Sequence, residues 1–225
     1  MKTLLLDGIH VEIEQKCIKN LYLRIKQPDG RVVLTAPMSM GDAAIESFAR
    51  KRLPWIQKHR AAYASKPTAN YISGETLFLW GRPYRLQVAE ADKRADVFAD
   101  GERIVLRIPL GSSVAERRHV LDNWYRKQLA TLMPALLGTC EQIVGKSASG
   151  WRMRDMTSRW GTCNVRTGII TLNLQLVRLD SEFLQYVILH ELTHLWEPSH
   201  NERFYQLMDG FCPEWKDTRR RLKQT

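Results

Sequence analysis

None of the four cysteines in this 225-residue chain stands in a Cys-x-x-Cys pair. Cys17, Cys140, Cys163 and Cys212 are scattered, which argues against a zinc ribbon and against a disulfide scaffold and leaves free thiols in a reducing compartment as the simpler account. No apolar run approaches membrane-spanning length. Leu4-Leu5-Leu6 is interrupted by Asp7 and lacks the cleavage pattern of a signal peptide. The expectation is a soluble, cytoplasmic protein with no membrane partner. No internal repeat, low-complexity segment or long linker is visible. Acidic residues are missing from Ser47 to Gly74, where Arg50, Lys51, Arg52, Lys58, Arg60 and Lys66 all occur.

What is present is enough apolar material, 44% of residues, to build a substantial core as one domain or two closely packed halves. The formal net charge of +10 points to an anionic partner or substrate. A second basic cluster, Lys216, Arg219, Arg220, Arg221 and Lys223, ends the chain. Such clusters serve either as solvated helix faces or for recognising nucleic acid, nucleotide or acidic protein, and salt-sensitive association with DNA or RNA would mark recognition.

The pattern predicts an α+β protein. Residues 1–110 read as a mainly β region with a helical segment and residues 111–225 as a catalytic half, the two packed as one compact unit. Leu21, Leu23 and Ile25 alternate, Pro28-Asp29-Gly30 turns the chain, and Val32-Val33-Leu34 completes a hairpin. Asp42 is placed to cap a helix from Ala43, and Pro54 fits the first turn of its continuation, as a kinked helix or a second short one. Strands are expected at Thr76 to Trp80, Tyr84 to Val88 and Arg103 to Ile108, with turns at Gly81 and Asp100-Gly101. Val114, Leu121, Trp124, Tyr125, Leu129, Leu132, Met133 and Leu136 recur at helical intervals from Ser113 to about Leu137, despite Pro134. Strands at Trp151 to Thr157 and Gly168 to Leu174 follow, then a helix opening at Asp180-Ser181-Glu182, and helices at Glu202 to Met208 and Glu214 to Leu222.

The segment His190-Glu191-Leu192-Thr193-His194 carries the chemistry. Residues four apart point from one helix face, so His190 and His194 can share a metal ion while Glu191 projects beside it. Val187 lies on the same face, so both imidazoles point toward the core, where an unpartnered ring is costly. A carboxylate so placed can act as general base toward a water that zinc acidifies to a pKa of about 7. Catalytic zinc usually takes three protein ligands, and Glu197, His200, Glu202 and Glu214 are the candidates for the third. His200 is favoured, provided that the helix ends after His194. Pro198 supplies that stop, since proline disfavours helix at Glu197. Metzincins make the corresponding turn with glycine; here Glu197 holds that position.

Arg152-Met153-Arg154, Ser158-Arg159-Trp160-Gly161-Thr162-Cys163, Leu172-Asn173, Tyr186-Val187, the motif through His200, Phe204 and Pro213-Glu214-Trp215 together resemble the YgjP-like metallopeptidase family. These are minimal zincins, similar in plan to WLM and SprT-like proteases. The resemblance covers most of the chain and implies a zincin-type α+β catalytic half, with His190, His194 and His200 on zinc and Glu191 as base. The family commonly has serine where this chain has Thr162, which keeps the hydroxyl. Arg154 and Arg159 are candidates to hold an anionic substrate group, with Gly161 admitting backbone to the cleft. Trp160 reads as core filling and Cys163 as unneeded for ligation. Tyr205 or Arg203 could stabilise an oxyanion, or be surface helix residues. Three functional readings follow: a zinc metallopeptidase acting on protein or peptide, a metal-dependent nucleoside triphosphate pyrophosphohydrolase, and a DNA- or RNA-binding module with a structural zinc. The nitrogen-rich donor set favours zinc over Mg²⁺, and the open coordination position beside a ready base favours the first.

Overall fold

The computed structural model describes residues 2–26, 30–64, 69–91 and 94–225, without the side chains of 61–64. Pro28 and Asp29 of the expected turn, and Lys66 of the first basic run, lie outside the described residues. Contacts divide the chain into Met1–Ala69 and Asn70–Thr225, so the boundary falls well before residue 110. Burial explains the difference. Leu77, Leu86, Ile104 and Leu106, from strands assigned by sequence to the N-terminal region, share one core with Leu121, Trp124, Tyr125 and Leu129 of the long helix. Separating them would expose both faces to water.

In the first unit, β1 (Lys2–Leu6) and β2 (Ile9–Lys16) form an antiparallel hairpin, as do β3 (Tyr22–Lys26) and β4 (Arg31–Pro37). β2 and β4 run parallel, giving the order β1-β2-β4-β3. Neither β1 nor β2 is among the strands read from the sequence, although Ile9, Val11 and Ile13 alternate and are all buried. Two helices, α1 (Asp42–Lys51) and α2 (Leu53–Ala64), follow, and Ile45, Ala49 and Ile56 join this core. Gly41, not Asp42, is the N-cap; Asp42 occupies the first helical turn and pairs with Lys2.

The second unit opens with β5 (Thr76–Leu79), β6 (Arg82–Glu90), β7 (Asp96–Asp100) and β8 (Arg103–Ile108) in the order β5-β6-β8-β7. Antiparallel, parallel and antiparallel pairings recur as in the first sheet. The opening hairpins match too, with positive φ at Asp7-Gly8 (45° and 76°) and at Trp80-Gly81 (50° and 76°). The backbone therefore repeats where the sequence shows no repeat, because topology and turn geometry constrain side chains only loosely.

Next comes α3 (Val114–Val144), opened by a capping box in which Ser113 N–H donates to Glu116 Oε2 at 2.7 Å and Glu116 N–H donates to Ser113 Oγ at 3.3 Å. It runs beyond the expected end near Leu137. An internal proline costs about 3 kcal/mol, but burial of Cys140 and Val144 beyond Pro134, with Leu136 and Leu137 half-buried, outweighs that at about 1.5–3 kcal/mol for a fully buried side chain. Then β9 (Gly150–Arg154), β10 (Gly161–Asn164) and β11 (Ile169–Asn173) form a sheet ordered β10-β11-β9, with β10 antiparallel and β9 parallel to β11. β10, which takes in Gly161 and Cys163, is not among the strands read from the sequence. A 3-10 turn (Leu174–Arg178) leads into α4 (Ser181–Thr193), followed by α5 (Glu202–Phe211) and α6 (Trp215–Leu222).

The start of α4 is held by the β5–β6 hairpin. Trp80 N–H donates to Val177 O at 2.9 Å. A Cβ on Gly81 would fall 1.8 Å from Asp180 Oδ1. Asp180 is the N-cap residue of α4 but makes no side-chain cap bond, its carboxylate lying instead over the Gly81 turn. Among the described residues, no helix is long and apolar enough to cross a membrane.

Candidate metal centre

α4 packs against α3, β10 and β11, and Leu184, Val187, Ile188, Leu189 and Leu192 are all buried. This packing turns His190 and His194 toward a cleft of about 450 Å³ lined by Arg159, Gly161, Thr162, Cys163, Val165, His190, Glu191, His194, Pro198 and His200. One ligand-capable nitrogen from each of His190, His194 and His200 lies within 4.8 Å of the others. His190 Nε2 and His200 Nε2 are 2.9 Å apart. Two nitrogens sharing a tetrahedral zinc at about 2.0–2.1 Å lie about 3.3 Å apart, so the donor set is spaced for one small ion. Glu197, Glu202 and Glu214 do not join the cluster.

The protonation states suit ligation. Burial, with His194, His200 and Arg219 adding repulsion, lowers the pKa of His190 to about 3. Burial lowers His194 and His200 as well. Three neutral imidazoles offer lone pairs. A carbonyl can only accept, so the 3.1 Å contact of His194 Nδ1 with Glu197 O makes Nδ1 the donor and leaves Nε2 unprotonated. Phe204, fully buried, packs against all three rings, its centroid 5.0, 4.7 and 4.7 Å from those of His190, His194 and His200.

The turn that delivers His200 differs from expectation. α4 ends at Thr193, ahead of Pro198, with His194 as C-cap. Thr193 Oγ1 donates to Leu189 O at 2.7 Å, and Trp196 N–H and Glu197 N–H both donate to Thr193 O. Two exchanged bonds fix the exit. Lys146, just past α3, donates to Leu195 O at 2.6 Å and lies 4.1 Å from the Trp196 ring centroid. In return, Trp196 Nε1 donates to Val144 O at 3.0 Å. Glu197 Oε1 accepts from Ser199 N–H at 3.1 Å, so its side chain builds the turn that glycine would otherwise make.

Glu191 is buried at 5% exposure, and burial pushes its carboxyl up to about 8 against the opposing Arg159 guanidinium. Its neighbour across the cleft wall is the backbone of β10. A Cβ at Gly161 would lie 2.6 Å from Glu191 Oε1 and 2.8 Å from both Glu191 Cγ and Val187 Cγ1. Gly161→Ala is therefore expected to displace the carboxylate, lowering kcat by about ten- to a hundredfold while metal content stays constant. Steady-state kinetics beside elemental analysis checks this; an unchanged kcat would show that the contact is dispensable.

Of the remaining predicted residues, Arg159 lines the cleft and Arg154 does not. Arg154 is exposed on β9, across β11 from β10, an order that residue spacing alone does not reveal. Tyr205 does not line the cleft either; its ring stacks on His200 at 6.5 Å and on Trp215 at 5.3 Å. Asn173, 3% exposed, is a residue whose role the sequence did not disclose. Its Nδ2 donates to Met156 O and Arg159 O, both at 2.8 Å, and its Oδ1 accepts from Gln175 N–H at 3.1 Å, pinning the loop that carries Arg159. Its place in the Leu172-Asn173 pair of the family resemblance and at the close of an apolar strand are the signals it leaves.

Three neutral imidazoles on a helix end and the turn after it, beside a buried glutamate in an open cleft, form a nitrogen donor set that could hold one metal ion. Residues 19–225 match the family described as YgjP-like, metallopeptidase domain, and the chain belongs to that family. No curated protein matched the chain. Among solved structures it is similar to the crystal structure of the metallopeptidase zymogen of Pyrococcus abyssi abylysin, at 24% identity and a TM-score of 0.39, covering 41% of this chain and 93% of that one.

Proposed function

We propose that this metallopeptidase cleaves peptide bonds with zinc held by His190, His194 and His200 and with Glu191 as general base. The observation that carries the reading is the placement of Glu191, buried yet lining the same cleft as the three imidazoles. Zinc, when bound there, supplies Lewis acidity that polarises a carbonyl and acidifies water. Glu191 then accepts the proton of the attacking water on a carboxylate oxygen, and returns it to the departing amine. Arg159 favours the ionised carboxylate, as base chemistry requires.

β10 supports a peptide as substrate. Among the described residues it pairs only with β11, and its Gly161, Thr162 and Cys163 line the cleft. An unpaired strand edge offers main-chain bonds to an extended peptide, which a polyphosphate cannot use.

The test loads the protein with zinc and presents unfolded protein and nucleoside triphosphates side by side. New peptide termini without pyrophosphate are the expected result. Pyrophosphate release alone would shift the reading to phosphoanhydride hydrolysis, with Arg159 as the cation at hand. Retardation of DNA without turnover would leave only a binding module.

A further inference from the structure

We infer that α6 forms a subsite for an acidic residue of the peptide substrate, seated between Arg219 and Lys223 on a floor made by Trp215. The inference rests on the peptidase reading above. A surface groove of about 480 Å³ is lined by Trp215, Lys216, Arg219, Arg220, Lys223 and Gln224. Its cations are not equivalent. Lys216 pairs with Asp209 at 2.9 Å and Arg220 pairs with Asp217. Arg219 and Lys223 have no acidic partner among the described residues, and at i and i+4 they face the same way.

The groove is joined to the metal centre by a row of rings. His200 stacks on Tyr205 with centroids 6.5 Å apart, Tyr205 stacks on Trp215 at 5.3 Å with planes 10° apart, and the Arg219 guanidinium lies 5.8 Å from the Trp215 centroid. Those steps bound the path from His200 to Arg219, and an extended peptide at about 3.3–3.6 Å per residue covers it in about five residues. The Arg219 charge also contributes to lowering the pKa values of His190 and His200, in keeping with that proximity.

The chemistry favours a carboxylate over a nucleic acid. Trp215 is 6% exposed, is covered by Tyr205 and donates its Nε1–H to Asp209 Oδ1 at 2.8 Å, so its face is not free to stack on a base. Two unpaired cations four residues apart instead match one or two carboxylates.

The experiment uses fluorogenic peptides that share a neutral centre and carry Asp, Ser or Lys about five residues from it. The proteins are zinc-loaded wild type, Arg219→Gln/Lys223→Gln, and Arg219→Lys as the charge-retaining control. Binding of the same peptides to zinc-loaded Glu191→Gln, with and without the double substitution, is read by fluorescence anisotropy. The Asp peptide is expected to bind about fivefold more tightly than the Ser peptide, through KM in turnover and Kd in binding, with the advantage lost in the double variant, kept in Arg219→Lys and reduced by salt. Equal Kd for the Asp and Ser peptides, or an Asp advantage that survives the double substitution, overturns the subsite. Tighter binding of a single-stranded oligonucleotide of equal charge also overturns it, in favour of nucleic acid. If wild type cleaves no peptide, the peptidase reading falls, and the anisotropy comparison still decides the subsite by the same criteria.

Discussion

Replacing Glu191 with glutamine is expected to leave metal content at the wild-type level and to lower kcat by about 10³-fold, within the range general base catalysis supplies. Glutamine keeps the shape that packs against Gly161, so the cleft wall stays closed. What it loses is the oxygen that accepts and returns a proton. The carboxyl reaches the cleft from inside the core, where a buried charge is costly, so glutamine is also expected to hold or raise thermal stability. Elemental analysis, a thermal melt and single-turnover kinetics measure the three quantities separately. Wild-type turnover in this variant would remove Glu191 from the reaction and leave the cleft with no evident base.

The second large effect is expected from His200→Ala. If about 12 kcal/mol of zinc binding is shared over about four ligands, losing one removes about 3 kcal/mol, roughly a hundredfold in affinity. His200 is exposed, so its loss leaves the core intact, and the fold is expected to melt as wild type does when both are stripped of metal. Competition against a chelating dye reads the affinity directly. Undiminished affinity would point to a different third ligand, with Glu197, Glu202 and Glu214 the acids to replace next.

The helix that carries His190 was legible because two signals coincide on it: an apolar face of helical period and a histidine pair four residues apart. The α+β class and most later strands were legible for similar reasons of period and turn chemistry. The way His200 is delivered was not. Pro198 looks like the helix stop, yet α4 closes at Thr193 because Lys146 and Trp196, 49 and 52 residues from their partners, tie its end to that of α3. Arg154 and Arg159 look equivalent in sequence, and only the strand order separates them. The position of Gly161 could be noticed, but not that its missing side chain makes the room Glu191 occupies.

The exchanged bonds between the ends of α3 and α4 bear on when the metal can be acquired. During synthesis α3 and Lys146 leave the ribosome before the histidine helix does, so the anchor for Leu195 is made first. α4 by itself supplies only His190 and His194 of the proposed three ligands. The bond from Trp196 to Val144 O helps set the turn that carries His200, so the proposed third ligand depends on that docking. On the proposed ligand set, full three-histidine binding therefore requires the tertiary contacts between the ends of α3 and α4, and not the histidine helix alone.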